Sequence, residues 1–84
     1  MIYVYVIKCQ KGGLLYTGCT RDLRKRMDLH NQGRVASTAE RRPLHLIYYE
    51  ACLNREDAFR REKYLKTTYG KRYIRTRCRN YFTG

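Results

Sequence analysis

Ile2-Tyr3-Val4-Tyr5-Val6-Ile7 is a run of β-branched and aromatic residues with no polar face. A strand that alternates apolar and polar residues can leave one face to water. A run apolar on both faces needs cover on both, so this segment is expected as the central strand of a sheet. Alternation puts Tyr3, Tyr5 and Ile7 on one face. Lys11-Gly12-Gly13 is a turn signal, and Leu14 to Gly18 then reads as an antiparallel partner carrying Leu14, Tyr16 and Gly18 on one face. The register stays open. A turn centred on Gln10-Lys11 sets Tyr5 opposite Tyr16, and one centred on Gly12-Gly13 offsets them.

Thr20 is a candidate N-cap for a helix from about Arg21 to Gln32, ended by Gly33. At helical spacing Leu23, Arg26, Met27 and His30 share one stripe, while Arg24, Lys25 and Asp28 point away. The stretch RVASTAERRP has no sustained period and reads as a basic loop, and Leu44 to Ala51 follows as a third strand. Asn54 to Asp57 resembles a capping box, with acids in the first turn where the helix dipole favours them. The helix it opens carries Ala58, Phe59, Glu62 and Leu65 on one side. Gly70 is expected to break the pattern before a last basic helix with Ile74, Cys78 and Tyr81 as its inner stripe.

At 84 residues the chain has room for one modest core, so residues 1–84 are expected to form a single domain. Nineteen Lys and Arg against seven Asp and Glu leave a formal net charge of +12. Such a field attracts polyanions and opposes self-association, so a monomer that binds nucleic acid is expected. Membrane is disfavoured as a partner, because the basic helices carry few bulky apolar residues on an insertable face and no stretch approaches a bilayer span. Cys9, Cys19, Cys52 and Cys78 are too widely spaced for a zinc knuckle or a redox pair. They read as reduced thiols, and with no leader pattern at the start the expected compartment is the cytoplasm.

Arg26, His30 and Glu62 stand where helical periodicity calls for apolar residues, and a buried charge costs several kcal/mol unless paired. An internal Arg26–Glu62 salt bridge with His30 as a satisfied core imidazole is one explanation. Phosphodiester hydrolysis is another, because it calls for a hard cation, a cationic clamp on the phosphate and an acceptor for the water's proton. Glu62 can hold one Mg²⁺ through oxygen, and Arg26 offers bidentate contact to phosphate. Tyr5 and Tyr16 are weak bases at an ordinary pKa of about 10 and need positive surroundings to favour phenolate.

Tyr3-Val4-Tyr5 and Tyr16-Thr17-Gly18, whose motif tyrosines Tyr5 and Tyr16 lie eleven positions apart, resemble the paired motif that names the GIY-YIG nucleases. Arg26, ten positions after Tyr16, and His30, four further on, match the family's arginine and histidine, and Glu62 in Arg61-Glu62-Lys63 matches its metal-binding glutamate. Tyr3 replaces the glycine of the first motif and Thr17 the isoleucine of the second. The resemblance runs from about Ile2 to Leu65. It implies an α+β fold, a three-stranded antiparallel sheet flanked by about three helices. It also implies an endonuclease dependent on Mg²⁺ or Mn²⁺, with Glu62 as the metal ligand and Tyr5, Tyr16, Arg26 and His30 catalytic. Tyr5 is the expected base, Tyr16 and Arg26 position the phosphate, and Asn80 is the one candidate for a late active-site asparagine. DNA is expected ahead of RNA, cut by structure or with weak sequence preference. A protein partner conferring substrate choice, or a binding module of the same fold without turnover, is the alternative.

Overall fold

The apolar run becomes the middle of the sheet. In the computed structural model, which describes residues 1–84, β1 (Ile2–Cys9) pairs with β2 (Leu15–Thr20) on one side and β3 (Leu44–Cys52) on the other, both antiparallel. α1 (Leu23–Asn31) follows β2, and α2 (Arg55–Leu65), α3 (Thr68–Arg77) and α4 (Arg79–Thr83) follow β3. The fold is therefore α+β with the expected three-stranded antiparallel sheet. It has four helices where about three were expected, because the backbone leaves helical geometry at Cys78 and restarts as the five-residue α4. No helix is long and apolar enough to cross a membrane.

The two faces of β1 are buried against different partners. Ile2, Val4 and Val6 pack on Ala58 and Leu65 of α2 and Ile74 of α3. Tyr5, Ile7 and Cys9 pack on Leu44, with Tyr16 of β2 and Leu23 and Met27 of α1 against them. Full burial of an aliphatic or aromatic side chain of this size contributes roughly 1.5–3 kcal/mol, so a run with no polar face gains most where both faces are covered. The α1 stripe comes out as the periodicity predicts, with Leu23, Arg26, Met27 and His30 turned inward and Arg24, Lys25 and Asp28 exposed.

The hairpin register falls between the two alternatives. Tyr5 pairs with Gly18 and Tyr16 with Ile7, so the connection is centred on Lys11-Gly12. Thr20 does not cap α1, because it still belongs to β2, paired with Tyr3. The cap moves to Asp22, whose carboxylate accepts from Lys25 N–H, and the Thr20 hydroxyl accepts from Asp22 N–H instead. Asn54 does cap α2, accepting from Glu56 and Asp57 N–H. Phe59, expected inside, is 50% exposed.

Gly70 breaks nothing. The boundary lies at Thr67, whose hydroxyl accepts from Gly70 N–H and so starts α3. Gly70 is buried in the first turn of α3, where any Cβ would run into the Tyr64 carbonyl and the Leu65 Cα. The glycine is there for close helix–helix approach. Beyond the kink at Cys78 the inner position passes from Tyr81 to Phe82, because the restarted helix shifts the phase of its stripe by one residue.

Candidate active site

The site is built where side chains of α1 reach the sheet face that carries Tyr5 and Tyr16. Tyr5 projects from the middle of the central strand and is completely buried. Its ring lies over Gly18, the residue across the ladder, and a Cβ at that position would come within 2.6 Å of Tyr5 Cζ. The glycine of the second motif therefore makes room for the tyrosine of the first. Tyr16, two residues before Gly18 on the same face, is half-buried, its ring 6.4 Å from that of Tyr5.

Helix α1 supplies the next layer. Arg26 and His30 are one turn apart, so both reach down to the same point on the sheet. Arg26 Nε donates to Tyr5 Oη at 3.4 Å, and His30 Nε2 lies 3.0 Å from the same oxygen. His30 is buried, its ring edge-on to both tyrosines at 5.7 and 5.3 Å, and its Nδ1 is 2.8 Å from Thr38 Oγ1. Thr38 comes from the connection between α1 and β3, expected to be an irregular basic loop. That segment instead turns inward, burying Val35 and Thr38 and forming a short 3₁₀ turn at Ala39–Arg41. Sequence reasoning missed Thr38. The one trace of it was a threonine three positions after a valine in an otherwise polar stretch.

Burial raises the Tyr5 phenol above its ordinary range, opposed in part by the hydrogen bond from Arg26. That hydrogen bond in turn raises Arg26. Burial, with the Arg26 charge second, lowers His30 and keeps the imidazole neutral near pH 7. The expected base, Tyr5, is thus a neutral phenol sealed from solvent. Of the two motif tyrosines only Tyr16 retains an accessible surface.

Glu62 approaches from the opposite face. α2 lies under the sheet, and Glu62 stands beside Cys19 of the edge strand β2, close enough for its charge to act on both Cys19 and Tyr5. The proposed Arg26–Glu62 salt bridge does not form: Arg26 is spent on Tyr5, and Glu62 pairs with Lys66 at 3.2 Å. That pair joins i and i+4 on one helix with the Lys66 side chain 56% exposed, an arrangement worth about 0.3–0.5 kcal/mol. So weak a partner leaves the carboxylate open to a cation. Burial and Glu62 push the neighbouring Cys19 thiol up to about 12, so it stays protonated and does not compete for metal as thiolate.

No group of three or more His, Cys, Asp or Glu side chains gathers here. One accessible carboxylate fits Mg²⁺ or Mn²⁺ held largely by water and substrate phosphate oxygens, and does not fit a caged structural ion. Asn80 is not brought to this site. It is exposed on α4, in a shallow depression formed by Thr76 to Tyr81, and is hydrogen-bonded to none of Tyr5, Tyr16, Arg26, His30 or Glu62. The kink at Cys78 carries α4 toward Lys8, whose ammonium lies over the rings of Tyr81 and Phe82.

The profile of the GIY-YIG catalytic domain matches residues 1–77. The UPF0213 proteins of Staphylococcus aureus strains Mu3 and N315 are each 39% identical to the chain over 74 residues, covering 87% of it and 89% of theirs. The solution NMR structure of the UPF0213 protein BH0048 from Bacillus halodurans superimposes with a TM-score of 0.57 at 34% identity, over 90% of this chain and 84% of that one.

Proposed function

This chain belongs to the GIY-YIG family of nucleases, and from that premise we propose that it is a metal-dependent endonuclease hydrolysing phosphodiester bonds in DNA. The observation that carries the reading is the convergence of Tyr5, Tyr16, Arg26 and His30 on one face of the sheet, with Glu62 on the other side near enough for its charge to act on Tyr5.

Arg26 engages Tyr5 through Nε, which leaves its terminal nitrogens free to clamp two phosphate oxygens. Tyr16 is the candidate to take the proton of the attacking water, because its ring alone combines exposure with a place beside Arg26. Tyr5 holds Arg26 from below rather than meeting the water itself. Glu62 would hold the Mg²⁺ or Mn²⁺, which supplies charge stabilisation at the leaving oxygen when bound. His30 stays neutral behind Tyr5 and fixes its hydroxyl. The basic surface draws the polyanion in. A basic surface that engages the phosphate backbone favours cleavage by shape or with weak sequence preference.

The test is cleavage of branched, nicked and linear DNA in Mg²⁺, in Mn²⁺ and in chelator. Cutting is expected with either metal, none in chelator, and recovery on adding metal back. Tyr16→Phe is expected to slow cutting by about 100-fold, the scale of a lost general base. Cutting that persists in chelator sinks the metal assignment. DNA binding with no cutting under any metal condition would replace the nuclease with a binding module.

A further inference from the structure

The buried chain Thr38–His30–Tyr5–Arg26 has a direction favoured by its Arg26 end. Arg26 carries only donors, so at the Tyr5 oxygen it must be met by a lone pair. The Tyr5 proton then has to point elsewhere, and His30 Nε2 at 3.0 Å is its acceptor. A neutral imidazole with a bare Nε2 carries its proton on Nδ1, and that proton meets Thr38 Oγ1 at 2.8 Å. In the other tautomer Thr38 would donate to Nδ1, and Nε2–H and Arg26 Nε–H would both donate to Tyr5, whose own proton would be left without an acceptor beside the guanidinium. Tyr5, His30 and Thr38 are all completely buried, so no water corrects a mismatch.

We propose that Thr38 is a positioning residue for the phosphate clamp: by accepting the Nδ1 proton of His30 it stabilises the tautomer that turns a Tyr5 lone pair toward Arg26. The role rests on the nuclease reading only for its last step, the contact of Arg26 with phosphate. It also explains why an otherwise polar connection folds inward at Val35 and Thr38. Thr38 tethers the basic segment, with Arg34, Arg41 and Arg42 exposed on it, to the back of the site.

Imidazole ¹⁵N spectra of the intact protein read the tautomer directly, and assignment is simple because His30 and His45 are the only histidines. The wild type is expected to carry its His30 proton on Nδ1. Thr38→Val is expected to move it to Nε2, to speed solvent exchange of the Arg26 Nε–H and to lower kcat for DNA cleavage by about tenfold, the lower end of what outer-shell partners contribute. Thr38→Ser is expected to restore all three, which loss of packing alone does not predict. A wild-type proton on Nε2 overturns the proposal even if Thr38→Val does not fold. So does a Thr38→Val protein that switches tautomer yet keeps wild-type Arg26 exchange. Should the wild type cleave nothing, the tautomer and exchange readouts still decide Thr38, and the nuclease reading fails separately.

Discussion

Gly18 and Tyr5 form a unit that neither residue's identity reveals alone. The Tyr5 ring occupies the space a side chain at position 18 would need, and the tyrosine is locked into a packed interior with no slack. Gly18→Ala is expected to destabilise by about 2 kcal/mol, an ordinary overpacking penalty, and to lower the melting temperature by roughly 10 °C. A melt within a degree or two of wild type would show that Tyr5 can move aside. His30 gives a pH signature. In the unfolded chain its imidazole titrates near about 6.5, and in the folded protein it is held lower, so the unfolded state takes up the proton first as pH falls. Stability should drop on acidification from about pH 6.5 until the folded imidazole protonates as well, and His30→Gln should flatten that segment of the melting curve. Burial works to raise Glu50, but its hydrogen bonds from Arg61 and Tyr48 outweigh it and leave it low, so its loss comes at more acid pH and does not mask the effect. Tyr5, Tyr16, Arg26, His30 and Glu62 were legible because strand alternation and helical spacing put charged or hydroxylated groups where apolar ones belong. Thr38 was not, since a loop has no period to violate.

At the scale of elements, the placement of α2 decides where Glu62 stands. Arg61, its neighbour, reaches Glu50 of β3 through a bidentate pair at 2.8–3.1 Å, and Tyr48 donates to the same carboxylate at 2.9 Å. The Arg61 guanidinium also lies over the rings of Tyr64 and Tyr73, joining α2 to α3. Both charged side chains keep some contact with water, 30% and 23% exposed, so the full cost of a broken buried pair does not apply. Glu50→Gln is expected to cost about 1–2 kcal/mol in denaturant unfolding and to lower kcat for cleavage while leaving DNA affinity in place. Unchanged unfolding and unchanged kcat together would show that α2 is held by its apolar face alone. The strands and the cap at Asn54 lay open in local composition. Helix junctions did not. Gly70 looked like a breaker because its close approach to Tyr64 is a tertiary fact, and the kink at Cys78, which starts α4, leaves no mark in apolar periodicity.

For the molecule as a whole, a net charge of +12 over 84 residues means that nucleic-acid affinity by itself says little about the site. Exposed arginines and lysines over α3, such as Lys71, Arg72 and Arg75, bind phosphate wherever they lie, and binding strength tracks salt more than mechanism. Charge and family resemblance were legible at once. The approach of Glu62 to Tyr5 from the other face of the sheet needed the three-dimensional arrangement, because no local pattern joins α2 to β1. The decisive measurement therefore separates binding from turnover: single-turnover cleavage of a DNA substrate in Mg²⁺ by wild type and Glu62→Ala, at one salt concentration and with protein saturating in both. Glu62→Ala is expected to bind as tightly as wild type and to cut roughly a thousandfold more slowly, the scale of losing a metal's stabilisation of developing charge. Equal cutting rates at saturation would contradict the assignment of Glu62 as the metal-holding residue and, with it, the site built around it.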